Sequence, residues 1–195
     1  MDYQYPIRPV DRQPFYGAGV AHRAWSICDQ TAPPATYTGQ TSYVATTPTF
    51  MLRKAGTTTR HILRNFELAQ AGVVAANLIT VLLMLDNVDR LSGTSGTLIT
   101  PKNTNSDFVA TALTDLTVKA NPTAIAAGSG SSFLKAYTAV PLLGNTIKLD
   151  CLDGLVMGPT SSVLIYCFAT TTGPTLYLNG DVIEEGFTSS LDMGM

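Results

Sequence analysis

The amino-acid sequence predicts an all-β fold, an antiparallel β-sandwich or jelly roll that carries an extended N-terminal arm. About eight or nine short apolar runs recur at intervals of roughly 8–15 residues, a spacing typical of sandwiches. Stretches rich in Gly, Pro, Asn and Thr separate these runs, and no run is framed by convincing helix caps. We expect an arm over residues 1–33, a sandwich over residues 34–187 and a tail over residues 188–195.

The predicted arm mixes aromatic residues with prolines. Proline fixes an extended backbone and removes a hydrogen-bond donor, so this segment is not expected to form a regular ladder. Aromatic side chains in a segment without its own core are expected to anchor it on this domain or on a partner. The candidate partner-binding residues of the arm are Tyr3, Tyr5, Phe15, Tyr16 and Trp25.

The densest apolar region, HILRNFELAQAGVVAANLITVLLMLD, has two interpretations. A helix would be apolar on most of its surface and would have to be buried all round. Its β-branched residues suit a pleated surface better, and Gly72 would cost about 1 kcal/mol relative to alanine inside a helix. We therefore expect strands over His61–Ala69 and Asn77–Asp86, paired antiparallel and joined by a turn.

The remaining runs also favour strands. ATYTGQTSYVATT is typical of an edge strand, and the nearly all-apolar run Ser162–Ala169 of a central one. Asn179-Gly180 either closes a tight hairpin or bulges one long strand. The other predicted strands are Phe108–Leu113, Leu116–Ala120, Phe133–Val140, Asn145–Leu152 and Thr175–Glu185.

Composition limits the classes of partner. Only 13% of residues are charged and the formal net charge is −2, so no basic cluster predicts nucleic-acid binding. The first fifteen residues lack the basic and apolar regions of a secretory signal, and Ala69–Leu85 is too polar and short for a membrane span. A surface poor in charge favours a protein that packs against neighbouring subunits.

Motifs for catalysis and metal binding are not recognisable. His22 and His61 share no ligand spacing, and the sequence contains neither GxSxG nor a P-loop. Cys151 and Cys167 lie in strand-like runs, where a buried apolar role is expected, and Cys28 has no CxxC partner. We expect no enzyme activity, no cofactor, no metal and no small-molecule substrate.

Charged residues provide two weaker candidates. The acidic pairs Asp150/Asp153 and Glu184/Glu185 are the candidates for glycosidase carboxylates. The adjacent residues Glu184 and Glu185 would point to opposite faces of a strand and cannot share a cleft, so a solvated strand end is expected instead. A loose basic cluster either pairs with acidic residues of a neighbouring subunit or forms an ordinary polar rim. It comprises Arg53, Lys54, Arg60 and Arg64.

The order of features from Arg60 to Glu185 carries a family resemblance. The strand pair HILRNFELAQ and NLITVLLMLDN is followed by the loop SGTSGTLITPKNTN, the turn NPTAIAAGSG and the run VLIYCFATTTGPTLYLNGDVIEE. This order resembles tailed-bacteriophage virion proteins of the jelly-roll head decoration, or cement, type. The resemblance implies a virion structural protein without catalytic activity. We expect a decoration protein of this type on the head exterior.

Such a protein would bind the major capsid protein and copies of itself, as in a homotrimer, and would stabilise the shell. The alternative is a receptor- or carbohydrate-binding sandwich on a tail or fibre. That function would use a cluster of exposed aromatic residues, for which Tyr137, Tyr166 and Tyr177 are the candidates.

Overall fold

Two antiparallel sheets packed face to face confirm the predicted β-sandwich. The computed structural model describes residues 24–29, 31–72, 75–91, 94–104, 113, 115–123, 125–126 and 132–186. The strands are β1 (Ala24–Ile27), β2 (Tyr37–Thr38), β3 (Phe50–Lys54), β4 (Thr59–Gln70), β5 (Ile79–Asp86), β6 (Thr97–Ile99), β7 (Lys102–Asn103), β8 (Leu116–Ala120), β9 (Ser132–Ala139), β10 (Thr146–Lys148), β11 (Val156–Met157), β12 (Ser161–Phe168) and β13 (Thr175–Gly186). A single turn of 3-10 helix, Asp150–Leu152, follows β10.

The strand order places β9 at one edge of the second of the two sheets. The first sheet has the order β10-β4-β13-β1-β7, with β11 also beside β4 and β2 beside β13. The second sheet has the order β6-β8-β3-β12-β5-β9. Ion pairing between Lys135 of β9 and Asp150 after β10 shows that these two edges lie over one another. The core fills the space between the sheets, where alternating apolar residues of β4, β5, β12 and β13 meet.

The prediction for Ser162–Ala169 is confirmed, because β12 lies between β3 and β5 in the second sheet. Nearly every residue of β12 is buried, including Val163 and Ile165 on the core side and Leu164 and Tyr166 on the outer side. Burial on both faces explains why this run is apolar without alternation.

The predicted pairing of His61–Ala69 with Asn77–Asp86 is wrong, although both segments are strands. β4 lies in the first sheet beside β13, whereas β5 lies in the second sheet beside β12 and β9. The chain between them crosses from one sheet to the other instead of turning back within one. Each strand alternates buried and half-buried positions, because each has one face on the shared core.

Asn179-Gly180 lies within the continuous strand β13, so the dipeptide does not close a hairpin. Asn179 faces Glu67 and Asp181 faces Arg64, which leaves Gly180 opposite two residues of β4. The irregularity is therefore a β-bulge on β4.

Two further predictions differ from the structure or lie outside it. Asn145–Leu152 is not one strand, because β10 ends at Lys148 and the 3-10 turn follows. Of the predicted strand Phe108–Leu113, only Leu113 is among the described residues, and it is buried in the core. The tail over residues 188–195 also lies outside them.

Candidate functional site

Trp25 is a core residue of the sandwich. It lies in β1, opposite Val182 of β13 and Asn103 of β7, and its side chain is 3% exposed. Burial of the indole explains why this segment joins the sheet despite the prolines before it. Residues 24–27 are thus part of the sandwich, which begins before the predicted boundary at residue 33. The other predicted arm residues, Tyr3, Tyr5, Phe15 and Tyr16, lie outside the described residues.

The carboxylates Asp150 and Asp153 are held separately by basic groups. Asp150 accepts hydrogen bonds from the Tyr137 hydroxyl at 2.5 Å and from Lys135 Nζ at 3.0 Å. These bonds, that of Tyr137 foremost, keep the pKa of Asp150 below its ordinary value. Asp153 pairs with Arg64 Nε at 2.7 Å. Each of the two carboxylates therefore has its own cationic partner, Lys135 for Asp150 and Arg64 for Asp153.

Glu184 and Glu185 point to opposite faces, as the strand alternation predicts. Glu185 bonds to Arg60 Nε at 2.6 Å on the outer side of the sheet. Glu184 faces the interior, where its Oε2 lies 3.5 Å from Nε2 of the fully buried His61. The two carboxylates therefore belong to different surroundings and do not form a catalytic pair.

A buried polar cluster lies at the end of the sandwich where β3 turns into β4. Lys54 is fully buried, donates from Nζ to the Gly56 carbonyl at 2.7 Å, and lies 3.9 Å from Asp115. Desolvation lowers the pKa of Lys54, and the nearby charges of Asp115 and Glu184 counteract it. The positive and negative groups of this cluster neutralise one another. The cluster therefore has the character of a buried ion pair rather than of a binding site for an anion or a cation.

The basic residues of the loose cluster are engaged with acidic residues of the same chain. Their partners are Asp89 for Arg53, Asp115 for Lys54, Glu185 for Arg60 and Asp153 for Arg64. The Arg53–Asp89 pair is bidentate, with N–O distances of 2.7 and 2.6 Å. Arg53, Arg60 and Arg64 thus form an ion-paired polar rim of this subunit, in agreement with the second of the two interpretations above. Lys54 is buried and is not part of that rim.

Neither a metal site nor a helical membrane span is found in the part of the chain that the structure describes. No group of three or more His, Cys, Asp or Glu side chains there is arranged to hold a metal ion. No helix among the same residues is long and apolar enough to cross a membrane. The cysteines Cys28, Cys151 and Cys167 are not joined by disulfides, and Cys167 is fully buried.

Among the described residues, exposed apolar side chains are concentrated along β9 and the loop after it, Phe133–Leu143, which we call the β9 strip. Its exposed apolar side chains are Phe133 at 53%, Leu134 at 38%, Val140 at 65%, Leu142 at 64% and Leu143 at 58%. Together they expose about 500 Å² of apolar surface, divided between the start of β9 and the loop after it. Exposed apolar surface of a few hundred Å² commonly marks a site of interaction.

β9 is also a sheet edge. Among the described residues it pairs with β5 alone, so its other side presents backbone N–H and C=O groups. A bulge at Leu134 interrupts the pairing, after which Lys135–Ala139 run in regular register with β5. Lys135 and Tyr137 point toward the inner side, where both contact Asp150. The regular segment is therefore short but rigidly held.

Aromatic packing orders the first end of the β9 strip. The Tyr43 ring lies edge-on to Phe133 and to Tyr166, with centroid distances of 5.9 and 5.0 Å. The Tyr166 hydroxyl donates to the Ala45 carbonyl at 2.8 Å, which fixes the buried ring beneath. Phe133 is thus exposed on an ordered platform.

Hydrogen bonds order the second end. The buried Gln70 accepts from the Leu142 amide through Oε1 at 2.7 Å and from the Gly144 amide through its carbonyl at 2.9 Å. Asn145 donates from Nδ2 to the Val140 carbonyl at 2.9 Å. The backbone of this loop is pinned while its apolar side chains face solvent. Such preorganisation lowers the entropic cost of binding.

The tyrosines considered for carbohydrate binding do not form one surface. Tyr166 is buried on the outer face of the second sheet, and Tyr137 points inward to Asp150. Tyr177 is half-buried in β13 of the first sheet. An aromatic sugar-binding platform built from these three side chains is not present.

Comparison with known proteins adds no relative: no family model, no curated protein and no solved structure matches this chain.

Sequence reasoning found β9 but missed its exposure. The signal was present in the run VPLLG, where apolar residues follow a proline in a loop and so have no strand face to bury them.

Proposed function

We propose that this chain is a non-enzymatic virion structural protein of the capsid decoration, or cement, type. It binds between major capsid subunits on the head exterior, contacts copies of itself and stabilises the shell. The observation that carries the proposal is the β9 strip, an ordered apolar surface that is available for contact with another protein.

Physical features of a shell-bound protein support this function. A rigid sandwich keeps its contact surface fixed, and preordered loops reduce the free energy lost when it binds. Many copies on one particle multiply modest individual contacts through avidity. The basic side chains Arg53, Arg60 and Arg64 are paired with acidic residues of the same chain, so they do not supply unpaired charge for association.

The alternative, a receptor- or carbohydrate-binding module on a tail or fibre, has less support. Its candidate aromatic residues Tyr137, Tyr166 and Tyr177 lie apart, and the exposed part of the β9 strip is mainly aliphatic. Sugar-binding surfaces combine stacking rings with polar groups, whereas aliphatic surfaces suit protein partners.

The experiment begins with particles of the phage that encodes the chain. Purified virions are analysed by mass spectrometry, and the chain is located by labelling and electron microscopy. Shells lacking the chain are then incubated with purified protein, and cosedimentation and the temperature of shell disruption are measured. We expect stoichiometric binding on the head and a higher disruption temperature.

Paired variants connect binding with the strip. Leu142→Asp places a charge in the β9 strip, and we expect at least a tenfold loss of affinity for shells. Leu98→Asp is the matched control, because Leu98 is 56% exposed on β6 at the opposite edge of the same sheet. Absence of the chain from virions, or saturating binding of tail structures instead of heads, would refute the proposed function.

A further inference from the structure

The β9 strip carries an exposed apolar group at each of its two ends. Phe133 and Leu134 lie at the start of β9, and Val140, Leu142 and Leu143 lie just past its end. The five strand residues Lys135–Ala139 separate these ends by about 20 Å. A partner that runs antiparallel to β9 with the same sequence would bring opposite ends together.

We propose that β9 pairs with β9 of a second copy of this chain across a two-fold axis through Tyr137. The pairing joins two second sheets edge to edge into one continuous sheet. This inference deepens the self-association part of the proposed function and rests on it. It also names the surface and the arrangement of the copies.

The position of the axis follows from the regular part of the edge. The bulge at Leu134 interrupts the ladder on one side, and Pro141 cannot donate a backbone hydrogen bond on the other. Lys135–Ala139 remain as the regular segment, and Tyr137 is its middle residue. An antiparallel two-fold centred there places Ala136 opposite Thr138 and Lys135 opposite Ala139.

The same register brings the apolar ends of the strip together. Leu134 of one copy lies opposite Val140 of the other, and Phe133 lies opposite Pro141. Because the interface is isologous, each contact occurs twice. Apolar groups that are separated on one subunit therefore become two closed clusters at the ends of the shared ladder.

Charge does not oppose this arrangement. Lys135 is the only charged residue between Ser132 and Gly144, and its ammonium group lies 3.0 Å from Asp150 of its own chain. In the proposed register the two copies of Lys135 are displaced by four strand positions, about 13 Å. This separation exceeds the Debye length of about 8 Å at physiological ionic strength, so their repulsion is screened.

The area reaches the lower range of specific interfaces. The five exposed apolar side chains of the strip contribute about 500 Å² per copy, or about 1,000 Å² over both copies, against about 1,600 Å² in total for a standard interface. The backbone edge and the small side chains Ala136 and Thr138, both exposed, supply further area. The other edge strand of this sheet, β6, has only three residues, Thr97–Ile99, and offers a much shorter ladder.

The first test is the mass of the complete chain in solution, measured by light scattering over a range of concentrations. We expect a dimer for the unchanged protein and a monomer for Leu134→Asp and for Leu142→Asp. Leu98→Asp should remain a dimer, and circular dichroism verifies that each variant is folded. The Asp variants should dimerise more weakly because pairing would remove the new carboxylate from water. A chain that stays monomeric up to about 100 μM, or a closed trimer that persists in Leu142→Asp, overturns the inference.

The second test determines the register by oxidative cross-linking. Ala136→Cys and Thr138→Cys chains are mixed, because residues opposite each other in an antiparallel pair have Cα atoms about 4.5–5.5 Å apart, within disulfide range. We expect disulfides between one chain of each variant to form faster than disulfides between two chains of the same variant. The unchanged chain is the control for background cross-linking through its own cysteines. Equal or faster linking within the Thr138→Cys chains alone contradicts an axis at Tyr137.

These tests separate the inference from the proposed function. They are performed in solution without particles. A monomeric chain that still decorates shells overturns β9 pairing and leaves the virion function standing. A β9-linked dimer that is absent from virions refutes the virion function and retains the pairing.

Discussion

The ring of Phe66 in β4 lies directly against the backbone of Gly180 in β13. A Cβ atom at position 180 would lie 2.7 Å from Cδ1 of Phe66, closer than real side chains approach. The bulge on β4 creates this contact, because Asn65 and Phe66 together oppose the single residue Gly180. Glycine is thus required here for close packing between neighbouring strands rather than for a turn.

Gly180→Ala is expected to destabilise the protein by about 1–3 kcal/mol, since the fully packed Phe66 ring must shift to admit a methyl group. Gly158→Ala is the matched control, because a Cβ there meets nothing within 4 Å. The free energy of unfolding is measured by chemical denaturation of both variants. Equal stability of the two would contradict the packing role of Gly180.

Asn65 is the bulged residue with a left-handed backbone, at φ 53°. Asn65→Val should cost about 1–3 kcal/mol because β-branched residues are strained in this region. Asn65→Gly should cost less, since glycine adopts the conformation freely. Both variants lose the hydrogen bond from Asn65 Nδ2 to Asp181, so their difference in unfolding free energy isolates the backbone effect. A valine variant as stable as the glycine variant would argue against strain.

Asp29 organises the turn between β1 and β2 and should make stability depend on pH. Its carboxylate accepts hydrogen bonds from the Thr31 hydroxyl, the Tyr37 hydroxyl and the backbone amides of Thr31 and Ala35. These bonds, that of the Thr31 hydroxyl foremost, hold the pKa of Asp29 well below its ordinary value. The resulting stabilisation is present above the unfolded pKa of about 3.9 and is lost as the pH falls through the folded pKa.

Asp29→Asn is therefore expected to lower the unfolding free energy by about 1–3 kcal/mol at pH 7 and by less at pH 2. Asp153→Asn, which removes one partner of a half-exposed ion pair with Arg64, should change it by less than about 1 kcal/mol. Urea titrations at both pH values provide the comparison. A loss for Asp29→Asn that is the same at pH 2 and pH 7 would disagree with this assignment.

Cys167 should be chemically inert in the folded protein. It is fully buried in β12, and desolvation raises the pKa of its thiol to about 12. Because thiolates rather than thiols react with alkylating reagents, we expect no native-state labelling of Cys167 at pH 8. Labelling in urea should be complete, and mass spectrometry of peptides distinguishes Cys167 from Cys28 and Cys151. Rapid labelling without denaturant would show that β12 opens readily.

Strand formation was largely predictable because it depends on a local pattern. β4, β12 and β13 follow runs whose apolar content and alternation are visible in the sequence. The strand Ala24–Ile27 around Trp25 was missed because AWSI is too short to stand out beside the prolines of residues 1–33. The exposure of Phe133 and Leu134 was missed because the alternation of Phe133–Val140 predicts a half-buried strand. The strand order is what shows that β9 is an edge.

The sequence was sufficient to predict the all-β class, the central position of β12 and the opposite directions of Glu184 and Glu185. These properties depend on residue type and on the two-residue period of a strand, both of which are local. Tertiary structure alone decided that β4 and β5 belong to different sheets and that Gly180 fits a bulge beneath Phe66. Alternation reports which face of a strand is buried, but the neighbouring strand is selected by packing between residues that are distant in the chain.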